Sequence, residues 1–285
     1  MVSVRHILAS VLILLLPAVS RSRSAAEPVG TARTSLFAQS AAEALTHDFS
    51  NADISFLLLE AHTGQLLASR WEQPNVPIPL GSLAKPFTAL AYGQHHEFQY
   101  PTHICRGSET GCWRPGGHGK LDLSSAIAFS CNSYFRFLTT GLNSADVSST
   151  AAQFGLDLPD RSIRGAELAG IGTRWRITPV HMAEAYAELV HTRQDPTIAQ
   201  ILLGMERSAQ HGTGAELGRA LRSERALVKT GTAACTHSQH TPGDGLTIAI
   251  IPAENPRLLL LVRVHGVPGS IAAKTAGQML RRIEQ

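Results

Sequence analysis

Strand-like apolar runs stand toward both ends of this chain, and that distribution constrains the fold more than any other feature of the sequence. Ile54–Glu60 (ISFLLLE) and 65–70 (QLLASR) flank His62-Thr63-Gly64, the pattern of a hairpin closed by a glycine turn. Far downstream, 226–232 (ALVKTGT), 246–251 (LTIAII) and 257–264 (RLLLLVRV) repeat the character. Between these groups the periodicity turns helical, from Ser82 to about Tyr92 and over 121–140 and 178–192, with Thr178-Pro179 as a helix start. The expectation is an α+β fold: an antiparallel sheet assembled from both ends of the chain and flanked by helices at about 36–49 and 272–285. An all-α subdomain, roughly 83–210, is inserted between the two halves of the sheet.

The 285 residues suffice to bury a core and still leave a cleft, and a composition 44% hydrophobic and 16% charged fits a globular body. Net charge is only +3 and the basic residues are dispersed, which excludes nucleic acid as an expected partner. Of twenty-five basic residues only Lys85, Lys120, Lys229 and Lys274 are lysines, so each lysine is conspicuous.

The first twenty residues (MVSVRHILASVLILLLPAVS) carry a basic start, an apolar stretch from Ile7 to Leu16, a proline break and small residues at a cleavage site. The organisation expected is a signal peptide over 1–25, a linker and first helix over 26–50, and a single domain over 51–285, exported to the periplasm or the outer face of the cell membrane. Export permits disulfides, and Cys105 and Cys112, which bracket a Gly-containing loop, are read as a bridge. The sharper alternative is a zinc site built from His103, Cys105, Cys112 and His118. The bridge is the reading adopted, with no metal expected.

Three short motifs carry the chemistry. In Ser82-Leu83-Ala84-Lys85 the i, i+3 spacing sets a hydroxyl and an amine one helical turn apart, and a desolvated, neutral lysine can take the serine proton. Ser130-Cys131-Asn132, read as a loop between helices, offers a hydroxyl to relay protons and an amide to hold a substrate carbonyl. Lys229-Thr230-Gly231-Thr232 ends an apolar strand, where a glycine lets a ligand backbone approach and the lysine and threonine meet a carboxylate. Each alone has a bland explanation in helix starts and turns. The conjunction, in this order and using two of the four lysines, does not.

The three motifs together are the signature of penicillin-binding proteins and serine β-lactamases, and the chain resembles that superfamily. The surrounding segments HTGQLLAS, PLGSLAKPFTAL, GHGKLDLSSAIAFSCNSYF, GIGTRWRITPVHMAEAYAELV, HGTGAELG and VKTGTAA resemble the class B penicillin-binding transpeptidases from about residue 52 onward. The resemblance implies the penicillin-binding/β-lactamase-like transpeptidase fold and a serine D,D-transpeptidase or D,D-carboxypeptidase. In that reading Ser82 is acylated by a D-Ala-D-Ala stem peptide or a β-lactam, Lys85 is the base and Ser130 shuttles the proton. Lys229 joins the catalytic group; Asn132, Thr230, Gly231 and Thr232 bind substrate, and the backbone N–H groups of Ser82 and Thr232 form the oxyanion hole. It implies peptidoglycan stem peptides as substrate, β-lactams as covalent inhibitors, cell-wall synthesis proteins as partners, and no cofactor.

The chain departs from that family in three ways. No large non-catalytic N-terminal domain is expected, the interval from Ser130 to Lys229 is short, and LTIAIIPAENP lacks the aromatic-glycine character usual after the third motif. A serine β-lactamase is one alternative, although class D enzymes carry Val or a similar residue where Asn132 stands, and Glu167 in RGAELAG does not sit in a recognisable class A loop. A β-lactam sensor or a non-catalytic scaffold is the other.

Overall fold

The computed structural model describes residues 36–221, 225–235 and 243–284; the expected signal peptide lies outside them. Helix α1 (Leu36–Asp48) precedes the hairpin β1 (Ile54–Glu60) and β2 (Leu66–Arg70). After a two-residue strand β3 (Ile78–Pro79), one 3-10 turn (Gly81–Ala84) leads into α2 (Lys85–His95). Short strands β4 (His103–Cys105) and β5 (Gly119–Leu121) follow, then α3 (Leu123–Ala128), α4 (Asn132–Leu138) and α5 (Ser144–Gln153). Strand β6 (Arg176–Ile177), α6 (Pro179–His191), α7 (Ala199–His211) and α8 (Ala215–Ala220) lead to β7 (Leu227–Ala233), β8 (Asp244–Ile251), β9 (Leu258–His265) and α9 (Gly269–Ile283).

The main sheet is antiparallel throughout, in the order β2-β1-β9-β8-β7. The two ends of the chain meet where β1 pairs with β9 along its whole length, from Ile54 opposite Val264 to Glu60 opposite Leu258. Because side chains alternate across a strand, β1 sends Leu57 and Leu59 to one face and Phe56 and Leu58 to the other. The first face packs with Phe87, Ile127, Tyr134, Met182 and Tyr186; the second packs with Leu45 of α1, Leu217 of α8 and Ala276 and Met279 of α9. Both faces of the central strands β1, β9 and β8 are therefore dry, which is why they read as continuous apolar runs rather than as polar-apolar alternation.

The helices start where the sequence supplies caps. Thr178 accepts from the His181 N–H at 3.3 Å with Pro179 next to it, Asp122 accepts from the Ser125 N–H at 2.7 Å, and Asn143 and Asp146 form a capping box for α5. The structure differs from the sequence reading in two places that matter for the site. The helix expected from Ser82 begins three residues later, after the 3-10 turn, and the helical run over 121–140 is two short helices separated by Phe129, Ser130 and Cys131. The cause of the second break is Ser130, whose φ of 50° is left-handed, a conformation that no α-helix tolerates and that a non-glycine residue adopts only when its surroundings impose it. Strands β4 and β5, not foreseen, pair Cys105 with Gly119 and clamp the Gly-rich loop between them.

Candidate active site

Ser82 lies in the 3-10 turn ahead of α2, half-buried, where Pro86 falls in the first turn of the helix and has no N–H to lose. Two glycines let this turn press against the edge strand β7. Gly81 has φ 57°, and a Cβ there would stand 2.7 Å from the Thr232 carbonyl oxygen; a Cβ on Gly231 would stand 2.9 Å from the Leu80 carbonyl oxygen and 3.4 Å from the Ser82 nitrogen. The missing side chain of Gly231 thus makes room for the turn that carries Ser82. From below, the buried Tyr186 hydroxyl donates to the Leu83 carbonyl at 2.8 Å and Thr88 donates to the Leu168 carbonyl at 2.7 Å, fixing the first turn of α2.

The break between α3 and α4 delivers the second motif to the same place. Lys85 Nζ donates to the Ser130 carbonyl and to Asn132 Oδ1, each at 2.7 Å, and lies 3.4 Å from Ser130 Oγ and 5.2 Å from the centre of the Phe135 ring. From the strand side, Lys229 Nζ donates to Ser130 Oγ at 2.9 Å and to the Thr230 carbonyl at 2.7 Å. Both lysines are fully buried. Burial pulls Lys85 down to about 7, against the Cys131 and Cys112 thiols, which raise it, and with Arg136, which lowers it. Burial, with repulsion from Lys85 added, holds Lys229 well below the usual lysine range. Two desolvated amines around one hydroxyl thus each have their charged form disfavoured.

Thr230 and Thr232 divide their roles. The Thr230 hydroxyl donates to Thr213 Oγ1 at 2.6 Å, and Thr213 in turn bonds the Ala128 carbonyl through its N–H at 3.1 Å and its hydroxyl at 3.3 Å. Thr213 thus ties β7 to the end of α3, directly ahead of Ser130. Its one sign in sequence is the HGTG stretch ahead of the third motif, which offers no reason to single out the threonine. Thr232 is exposed on the strand edge, where its hydroxyl accepts from the Gly269 N–H at 3.0 Å. Trp113 is 54% exposed and donates from its indole to the Ser130 carbonyl at 3.2 Å.

The expected Cys105–Cys112 bridge is absent: Cys105, Cys112 and Cys131 are buried free thiols. The loop curls both sulfurs of the expected pair around the His118 ring, with Nδ1 3.6 Å from Cys105 Sγ and 3.5 Å from Cys112 Sγ, while Cys112 Sγ lies 3.8 Å from Cys131 Sγ. Of the four residues weighed as zinc ligands, His103 is elsewhere, its Nε2 2.7 Å from Ser133 Oγ and its ring stacked on Phe137. Cys131, from the middle of the second motif, stands in its place.

The fold is that of solved penicillin-binding transpeptidases. Pseudomonas aeruginosa PBP2, in complex with WCK 5153, superposes with a TM-score of 0.69 at 18% identity, over 87% of this chain and 73% of that one. Helicobacter pylori PBP2, in complex with MreC, gives 0.70 at 17% identity over 85% of this chain and 62% of its own. The transpeptidase domain of Burkholderia pseudomallei penicillin-binding protein 3 gives 0.66 at 17%, over 87% and 91%. At these identities the likeness is one of fold, and no curated protein matches the sequence. The family model for the penicillin binding protein transpeptidase domain matches residues 54–283, and the chain belongs to that family.

Proposed function

We propose that the chain is an exported D,D-transpeptidase or D,D-carboxypeptidase that acts on D-Ala-D-Ala stem peptides of peptidoglycan through an acyl-enzyme on Ser82. The observation that carries this reading is the Ser130 hydroxyl bonded to both buried lysines, 3.4 Å from Lys85 and 2.9 Å from Lys229, with Lys85 three residues after Ser82 in the chain. Neutral Lys85 takes the Ser82 proton as Oγ attacks the carbonyl carbon of the penultimate D-Ala. The Ser82 and Thr232 N–H groups stabilise the oxyanion, a role in which one donor is worth about 3 to 4 kcal/mol of barrier. The amide C–N bond breaks, Ser130 passes its proton to the departing D-Ala nitrogen, and Lys85 returns its proton to Ser130. An acceptor amine or water then releases the acyl group by the reverse path. Asn132 spends its Oδ1 on Lys85, leaving its NH₂ for a substrate carbonyl.

β-Lactams enter the same acylation as inhibitors, and cell-wall synthesis proteins are the class of partner expected. Labelling of the purified protein with a fluorescent penicillin, beside Ser82→Ala and followed over hours by intact mass, tests the proposal. A stable adduct on the wild type alone supports it. Rapid loss of the adduct would make the protein a β-lactamase, and no adduct on either would make it a scaffold.

A further inference from the structure

Outside the lysine network, Cys105, Cys112, His118 and Cys131 form a dense and largely buried group whose four donor atoms lie within 4.8 Å of one another. We infer that these four residues form a tetrahedral site for a single zinc ion, which ties the β4–β5 hairpin to the Ser130 turn.

Three of the donor–donor distances match those that a metal at the centre requires. Zinc bound to sulfur at about 2.3 Å and to nitrogen at about 2.0–2.1 Å in a tetrahedron sets sulfur–sulfur edges of about 3.8 Å and sulfur–nitrogen edges of about 3.6 Å. The structure has Cys112 Sγ to Cys131 Sγ at 3.8 Å, and His118 Nδ1 to Cys105 Sγ and Cys112 Sγ at 3.6 and 3.5 Å. A disulfide needs sulfurs at about 2.05 Å, so the spacing suits a ligand cage and not a bond between thiols.

The backbone is shaped for the same purpose. The N–H groups of Gly107 and His118 hydrogen-bond to the Cys105 sulfur, and that of Tyr134 to Cys131, the support that thiolate ligands need. The loop closes only because Gly107 and Gly117 lack side chains: Cβ atoms there would stand 1.7 Å from the Pro115 carbonyl oxygen and 2.3 Å from the Cys105 carbonyl oxygen. The His118 ring is held by stacking on Phe129 and by the edge contact of Trp113, with its Nε2 buried and free of hydrogen bonds, so Nδ1 is the atom aimed at the sulfurs.

Three soft thiolates and one imidazole in a closed tetrahedron suit zinc, which holds such a set without redox chemistry. Binding releases the three thiol protons to solvent and leaves the cluster with one net negative charge. Cys131 is bonded in the chain to Ser130 on one side and Asn132 on the other, so it is a positioning residue. The metal would hold the left-handed Ser130 in place from behind while the lysines hold its hydroxyl from the front.

The test uses the purified full chain, reduced and supplied with zinc, then dialysed and counted by elemental mass spectrometry. Cobalt(II) alone is added to a second, metal-stripped sample. The expected results are a single retained zinc per chain, and intense visible bands of tetrahedral cobalt with thiolate-to-cobalt charge transfer in the near ultraviolet. Cys112→Ser and His118→Ala should lose the bound metal, and His103→Ala should keep it. The inference is overturned by a zinc-free wild type, by cobalt absorption without the thiolate band, by a Cys105–Cys112 or Cys112–Cys131 disulfide in peptide maps, or by metal loss in His103→Ala. Should the cysteine variant fail to fold, the wild-type count and the cobalt spectrum decide the matter. None of these readouts depends on acylation, so this inference and the proposed activity fail separately.

Discussion

Lys85 and Lys229 reach the same Ser130 oxygen from two elements, the first from the helix after Ser82 at 3.4 Å and the second from the edge strand at 2.9 Å. Neither has an acidic partner in this network. Their acceptors are carbonyls, a hydroxyl and an amide oxygen, so desolvation is the largest influence on both amines, offset at Lys85 by the Cys131 and Cys112 thiols and added to at Lys229 by repulsion from Lys85.

The first consequence concerns pH. Burial brings Lys85 down to about 7, and only its neutral form accepts the Ser82 proton. The second-order rate of penicillin labelling should rise about tenfold per pH unit on the acid side of that value and level off on the alkaline side. A rate already flat through neutrality would remove Lys85 as the base.

Ser130→Ala deletes the shared acceptor and the proton relay while leaving the backbone turn available. Labelling should slow by about 10²- to 10⁴-fold, the usual loss for a general acid–base group, with little change in thermal midpoint. An unchanged rate would show that protons bypass Ser130.

Gly231→Ala tests the contact between turn and strand. The new Cβ would stand 2.9 Å from the Leu80 carbonyl oxygen, and overpacking of this kind costs about 1 to 3 kcal/mol. Because the displaced atoms include the Ser82 backbone, labelling should drop along with the denaturant midpoint. Full activity in a stable variant would mean that the turn is not held by β7.

Tyr186→Phe removes a fully buried hydroxyl and leaves the Leu83 carbonyl without its donor. The expected loss is about 1 to 3 kcal/mol in urea unfolding, with acylation slowed through misplacement of the neighbouring Ser82. No change in stability would show that the carbonyl finds another partner.

The sheet was legible in the sequence because strands dry on both faces announce themselves as apolar runs, and ISFLLLE and RLLLLVRV pair as their composition suggests. The lysine network was legible because the three motifs are short and local. What escaped was set by backbone geometry or by contacts between distant segments. Ser130 shows no sign in sequence of its left-handed φ, since serine has no particular claim to that region. Thr213 gains meaning only from lying against Thr230 and Ala128. Strands β4 and β5 are too short for periodicity to register, and without them nothing indicated that Cys131 rather than His103 would stand beside Cys105.

The pairing of β1 with β9 also orders events during synthesis. Made from its N-terminal side, the chain holds Ser82, Lys85 and Ser130 long before it holds Lys229, and β1 has no neighbour on its inner side until β9 exists. Contacts separated by so much sequence form late and slowly. A nascent molecule therefore lacks both the Lys229 contact to Ser130 and the inner partner of β1 until nearly the whole chain has been made.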